Sequence, residues 1–329
     1  MGLTEKVKQL VVEDFENDPN TPSFEDKALW AAVQKCGSQL WLDTGDLDEA
    51  TDLWCNQFGA VTTNNTLLNR EVQKGTYDKL VEETANELKG EAPRELLPLE
   101  ISFVLNAYHG LKLSRALDAK VSVELHTDVA NNVEMSIAYG RRYHDIAPER
   151  FYIKVPFTPE GLIATRRLGQ EGIPVNFTLG FSARENYLAA AVADPAFVNV
   201  FLGRLNSFVA DHGLGSGDMV GEKTTPASQR AITELRTSAG GQTKQIAASM
   251  RDGAQVKSLA GVDVLTMPPQ VARGFEELEP ATDEIRSQVD EDPDIELADG
   301  VDAEATGLSD LWEVPAELKQ LCSEIREQG

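Results

Sequence analysis

"RFYIKVPFTPEGLIATRRLGQEGIPVNFTL", from Arg150 to Leu179, holds one complete unit of the fold. Phe151, Tyr152, Ile153 and Val155 are strand formers, and Pro156 stops the run (151–155). In the following "EGLIATRRLGQEG", Leu162, Ile163 and Leu168 are expected on one face of a helix, with Gly172 as its C-cap. "VNFTL" (175–179) then reads as a second strand. Lys154 stands in the middle of the first strand. Either it snorkels its ammonium out to solvent, or it sits desolvated, as a nucleophilic amine requires.

The same alternation extends in both directions. Further strands are expected at "LWLDT" (40–44), "AVTTN" (60–64), "KVSVEL" (120–125), "FVNVFL" (197–202), "KQIAA" (244–248) and "VDVLT" (262–266). Amphipathic stretches lie between them, such as "FSARENYLAAAVA", which opens on Ser182 as an N-cap. Strand–helix alternation implies a parallel sheet. Eight units with nearly continuous apolar strands favour a closed (β/α)8 TIM barrel over an open sheet. The chain reads as a single barrel domain over 1–329. It has an N-terminal helical extension (1–39), a barrel core (40–275), an acidic loop (276–304) and a C-terminal helix (305–329). The segment 66–119 is longer than one crossover needs and is expected to hold two or more helices.

Composition narrows the function. Among 329 residues, 41% are apolar and 26% charged, as in a soluble globular protein, and no stretch approaches a membrane span. "MGLTEKVKQLVVEDFE" reads as an acidic amphipathic helix rather than a signal peptide, and Gly2 lacks the Ser or Thr of a myristoylation motif. Cys36, Cys55 and Cys322 have no metal spacing and read as free thiols of a reducing cytoplasm. His109, His126, His144 and His212 are too scattered for a ligand cluster, so neither metal nor other cofactor is expected. A net charge of −24 argues against nucleic acid. Half of it lies in 276–304, where thirteen acids face one base, Arg286. Such a run is either a solvated loop or a partner-binding tail.

In a barrel of this kind, reactive groups sit at the carboxyl ends of the strands. Those ends carry Asp43, Asn64, Glu124, Lys154, Asn176 with Thr178, Asn199 with Arg204, and Ser249 with Arg251. Each has a structural alternative: Asp43 and Asn64 as turn formers, Thr178 as an ordinary β-branched strand residue. Their shared position around one lysine points to a site.

These residues resemble those of the transaldolases, class I aldolases that work through a Schiff base, over about Trp41 to Phe275. "WLDTGD" is similar to the family's A-D-T-G-D, "AVTTNNTLL" to A-T-T-N-P-S-L, and "VSVEL" to its glutamate strand. "YIKVP" matches the lysine strand, "GIPVNFTLGFS" the G-I-x-x-N-x-T-L-x-F-S run, "VFLGRLNSF" P-F-V-G-R-I, and "AASMRD" G-A-S-F-R-N. The resemblance implies a transferase that moves a dihydroxyacetone unit between sugar phosphates in the pentose phosphate pathway. Lys154 would form the Schiff base, Glu124 and Thr178 would manage a water and its protons, and Asp43 would take a proton from the substrate. Asn64, Asn176, Asn199 and Phe201 would contact the donor, while Arg204, Ser249 and Arg251 would hold its phosphate. The partners implied are small-molecule sugar phosphates, with no nucleic acid and no membrane; monomer and homodimer both stay open.

This chain departs from the family at Asn65-Thr66, where Pro-Ser is usual, at Asn199, where many members have serine, and at His126, where aspartate is common. His126 is expected to be structural or to support the site from behind. Two rivals stand. A fructose-6-phosphate aldolase would lack the glutamate and carry tyrosine at Phe201. A non-catalytic barrel would act as a binding protein through the acidic loop.

Overall fold

The computed structural model describes residues 2–15 and 22–328. Its strands are β1 (Gln39–Asp43), β2 (Phe58–Thr62), β3 (Lys120–Glu124), β4 (Phe151–Pro156), β5 (Val175–Thr178), β6 (Phe197–Phe201), β7 (Lys244–Ala248) and β8 (Val264–Met267). They close in sequence order into a barrel, with helices between them, and the fold is a (β/α)8 barrel. Each expected strand has its counterpart, with ends moved by at most two residues. β2 stops at Thr62 because Asn64 is a helix cap, its side chain accepting from the Leu67 N–H. Among the described residues, no helix is long and apolar enough to cross a membrane.

The chain packs as two compact units. The first comprises Met1–Phe24, Asp43–Trp54 and Gly59–Asn176. Its centre is the helix Leu97–Leu117, which buries Phe103, Val104, Leu111, Leu113 and Leu117. Gly110 lets that helix lie directly on the sheet: a Cβ there would stand 2.6 Å from Val123 of β3 and 3.2 Å from Phe151 of β4. On the same helix, buried Glu100 accepts from both terminal nitrogens of Arg142 and from the Tyr139 hydroxyl. A buried carboxylate is tolerable when its lone pairs are spent this way. Three helices, Asn65–Gln73, Asp78–Glu87 and Leu97–Leu117, fill the long segment before β3. The N-terminal segment forms the helix Leu3–Val12 and a 3-10 turn Glu13–Phe15. Met1 and Glu16 of the expected helix lie outside the described residues.

One expected face is corrected. The helix Pro159–Gln170 buries Gly161, Ala164, Thr165 and Leu168, while Ile163 is 49% exposed. Spacings of three and four residues share a face; Ile163 and Leu168, five apart, do not. Gly172, at φ 78°, and the Ile173 N–H bond to the Leu168 carbonyl end the helix as expected.

The second unit comprises Glu25–Leu42, Cys55–Phe58 and Phe177–Gly329. Here β1 pairs with β8, and β7 with both β6 and β8, all parallel. The helices Ala183–Ala193 and Val220–Ala239 pack together through a buried polar cluster of Asn186, Ser228 and Gln245. Ser182 caps the first of them as expected.

The acidic segment is more anchored than a solvated loop. Glu276 accepts from Lys27 and from the Trp30 indole, and Arg230 donates to the carbonyls of Val289 and Glu291. Ile295, Leu297, Val301 and Ala303 pack on the cluster of Leu205, Val209, Val220 and Leu308. Apolar residues spaced among the acids hold the backbone down while the carboxylates face water. The C-terminal segment also differs from a single helix. A 3-10 turn Leu308–Leu311 is separated from the helix Ala316–Gln328 by Pro315, whose ring biases the preceding residue away from helix.

Candidate active site

In the first unit, β3 and β4 are in register so that Glu124 and Lys154 are direct neighbours. Lys154 is 6% exposed. Its Nζ donates to the Thr63 carbonyl at 3.1 Å and stands 3.7 Å from Glu124 Oε1. The snorkelling alternative is therefore excluded, because the ammonium end is buried with the stem. Thr63 is the first residue past β2; its N–H still donates to the Ser122 carbonyl at 3.4 Å, while its own carbonyl accepts from the amine.

The next residues open the helix Asn65–Gln73. Asn64 spends its Oδ1 on the Leu67 N–H at 2.9 Å, leaving its amide N–H2 as the donor it can offer. Asn65 turns to the glutamate: its backbone N–H and its Nδ2 donate to Glu124 Oε2 at 3.0 and 2.9 Å. From the helix Leu97–Leu117, Asn106 Nδ2 donates to the Glu124 carbonyl at 2.7 Å. Asp43 ends β1 and accepts from the Thr62 hydroxyl at 2.8 Å. Asn176, in β5, is fully buried, and its Nδ2 donates to Ser122 Oγ at 2.9 Å. Thus Asp43, Asn64, Glu124, Lys154 and Asn176 fall in one unit.

The second unit carries the rest. Thr178 ends β5 fully buried, and its hydroxyl has no partner among the described residues. Asn199 corrects an expectation: it lies mid-strand in β6 rather than at the strand end, and its Nδ2 donates to the Phe177 carbonyl at 3.0 Å. Phe201 ends β6, with its ring 6.0 Å from that of Phe181 and the Arg204 guanidinium 5.6 Å from its centroid. Arg204 is exposed in the first turn of the helix Leu202–Asp211. Ser249 follows β7 at φ 64°, a left-handed conformation costly for a residue other than glycine. Arg251, also exposed, donates its N–H to Gln255 Oε1 at 2.7 Å. Gln255 in turn donates to buried Glu222 at 2.7 Å. A Cβ on Gly203 would meet the Ser249 carbonyl at 2.2 Å and Arg251 Nε at 2.8 Å. The first turn of the Arg204 helix therefore lies against the turn that carries Arg251.

Several of these contacts escaped the sequence reading. Ser122 had a signal: it precedes Glu124 by two residues, so both project from the same face of β3. Thr62 and Asn106 had none of comparable strength, and a backbone carbonyl such as that of Thr63 has no sequence signal at all. His126 caps the 3-10 turn Thr127–Val129, its Nδ1 accepting from the Asp128 N–H at 3.2 Å. Among the described residues, no three of His, Cys, Asp and Glu converge as metal ligands would.

In a (β/α)8 barrel the carboxyl ends of the strands are where enzymes of this fold carry their reactive groups. The family model described as Transaldolase/Fructose-6-phosphate aldolase matches residues 40–311. The chain is similar to a transaldolase of Xanthomonas oryzae pv. oryzae, 30% identical over 237 residues, covering 70% of this chain and 72% of that one. It is also similar to a probable transaldolase of Thermus thermophilus, 34% identical over 237 residues, covering 71% and 88%. A probable transaldolase of Phenylobacterium zucineum is 37% identical over 157 residues, covering 47% and 64%. The chain belongs to the transaldolase/fructose-6-phosphate aldolase family.

Proposed function

We propose that this protein is a transaldolase. It takes a dihydroxyacetone unit from sedoheptulose 7-phosphate or fructose 6-phosphate and passes it to an aldose phosphate, in the non-oxidative pentose phosphate pathway of the cytoplasm. The observation that supports this best is the burial of Lys154 beside Glu124, with the amine held by a backbone carbonyl rather than drawn into a tight ion pair. An amine kept from water and from a close carboxylate is suited to nucleophilic work.

In the proposed reaction, Lys154 attacks the ketose carbonyl to give a carbinolamine. Glu124 gives and takes protons through a water, with the Thr178 hydroxyl available to hold it, and the carbinolamine loses water to form an iminium. Asp43 then removes the proton of the hydroxyl on the departing carbon. The C–C bond breaks, its electrons pass to the iminium, and an enamine and a free aldehyde result. Asn64, Asn176 and Asn199 hold the enamine until the acceptor aldehyde adds. Hydrolysis of the new iminium restores the lysine. Arg204 and Arg251, with Ser249, bind the distal phosphate; guanidinium groups suit its oxygens because their donors are planar and forked. The neutral ring of Phe201 offers no hydroxyl to assist hydrolytic release, which favours transfer.

The test is borohydride reduction with fructose 6-phosphate, followed by peptide mapping and a product assay with erythrose 4-phosphate. A three-carbon adduct on Lys154 and sedoheptulose 7-phosphate formed much faster than free dihydroxyacetone are expected. An adduct on another lysine sinks the mechanism; equal rates for the two products move the protein to the aldolase side of its family.

A further inference from the structure

We propose that Asn65 is a positioning residue for Glu124, holding one carboxylate oxygen so that the other is the one presented to Lys154. The proposal rests on the Schiff-base reading above and adds to it a residue at which this chain departs from the family pattern. A proline at this place could offer neither donor.

The two oxygens of a glutamate are chemically equivalent, and the last side-chain torsion is broad, so an unrestrained carboxylate exchanges them. Here Oε2 accepts twice from Asn65, from the backbone N–H at 3.0 Å and from Nδ2 at 2.9 Å. The same Nδ2 reaches the Leu125 carbonyl at 3.2 Å, one residue beyond the glutamate. Asn106 Nδ2 donates to the Glu124 backbone carbonyl at 2.7 Å. The carboxylate is therefore held at its head and at its root, and Oε1 faces Nζ at 3.7 Å. That separation is too long for a direct hydrogen bond, so the amine and the acid are neighbours without being locked together. Asn65 is well placed for the task. As the first residue of its helix, after the Asn64 cap, it has a backbone N–H with no acceptor inside the helix, so donating to Glu124 sacrifices no helical bond. The carboxylate also meets the positive end of the helix dipole. One loop thus sets both sides of the pair: Thr63 holds the amine by its carbonyl, and Asn65 holds the acid by its N–H groups.

The step that should suffer when Asn65 is lost is proton transfer during carbinolamine dehydration, since binding of the donor is assigned to other side chains. The test compares wild type, Asn65→Ala and Asn65→Pro with fructose 6-phosphate, quenching single turnovers into borohydride at timed intervals. N65A removes the amide donor and keeps the backbone N–H. N65P removes both, at a helix position that accepts proline. In N65A, adduct formation on Lys154 and kcat are expected to fall about tenfold to hundredfold, the range for losing a hydrogen bond to a charged group. KM and the thermal midpoint should stay near wild type, and N65P should be slower still. A purely structural role would lower the midpoint without splitting kcat from KM. If N65P does not fold, N65A alone decides. Adduct formation in N65A at the wild-type rate overturns the proposal and leaves the Schiff-base reading standing. No adduct in the wild type overturns both.

Discussion

Arg204 and Arg251 differ from Lys154 in exposure, and that difference fixes how the loss of each should be read. The lysine is buried in the sheet, whereas both arginines are exposed, and the proposed mechanism gives them no part in the bond chemistry. Removing either arginine should therefore weaken binding of the phosphate and leave the covalent steps intact. With Arg→Ala, KM for phosphorylated donors is expected to rise, with kcat/KM falling roughly tenfold to hundredfold. Arg→Lys should restore only part of the loss, since an ammonium cannot reproduce the planar fork. Arg251→Ala keeps the backbone N–H bond to Gln255, so the turn itself should persist. Asp43→Asn is the contrasting case: kcat should drop while the lysine adduct still forms. Steady-state kinetics on both sets decide the matter, and unchanged KM in both arginine variants would show that the phosphate binds elsewhere.

At the level of elements, the residues proposed to bind phosphate depend on how closely one helix approaches one turn. The helix Leu202–Asp211 can lie against the turn after β7 only because Gly203 has no side chain. With a Cβ 2.2 Å from the Ser249 carbonyl, Gly203→Ala must push the two apart. Relief by a flexible side chain is not available, because the obstructing atom is backbone. The expected cost is about 1–3 kcal/mol of stability, as for other overpacked sites, together with a raised KM for phosphorylated donors. Thermal melts and kinetics on the same preparation check it; a native midpoint with a native KM contradicts the close approach. The back of that helix is secured differently. Leu205 and Val209 pack under Ile295, Leu297 and Val301 of the acidic segment, which makes part of that segment a cover for the helix.

For the whole molecule, stability should depend on pH through a group that takes no part in the proposed chemistry. His109 is buried, its Nδ1 paired with the Tyr77 hydroxyl at 2.7 Å and its Nε2 without a partner among the described residues. Burial is the main cause that lowers its pKa to about 4, with Lys112 and Lys74 adding repulsion. The unfolded chain protonates this group near pH 6.5, so below that pH the unfolded state binds a proton that the folded state refuses. Stability is thus present in full above pH 6.5 and is lost as pH falls toward 4, by roughly 3 kcal/mol for this group alone. His109→Gln should flatten that part of the pH profile, whatever its effect at pH 7. Urea unfolding of both proteins at pH 7 and pH 4.5 gives the comparison, and parallel profiles would dismiss the assignment.

The strands and most of the polar residues near their ends could be read from the chain alone. Strand propensity and the alternation with helices are local properties, and the eight short apolar runs carry them without help. Lys154, Glu124 and Asp43 were legible because each follows or interrupts such a run with a polar group, and Ser122 was within reach by strand alternation. How segments distant in the chain meet could not be read that way. The fate of the Lys154 amine turned on a carbonyl ninety-one residues away. The orientation of Glu124 turned on Asn65, which in the sequence was only a departure from a pattern. Asn199 read as a strand end and proved to be mid-strand, because ladder registration and not composition sets where a strand stops. The acidic run read as solvated, yet its sparse apolar residues pin it to a helix nearly ninety positions earlier. Backbone donors, carbonyls and close approaches at glycine belong to every sequence alike. Only the packed fold selects which of them touch.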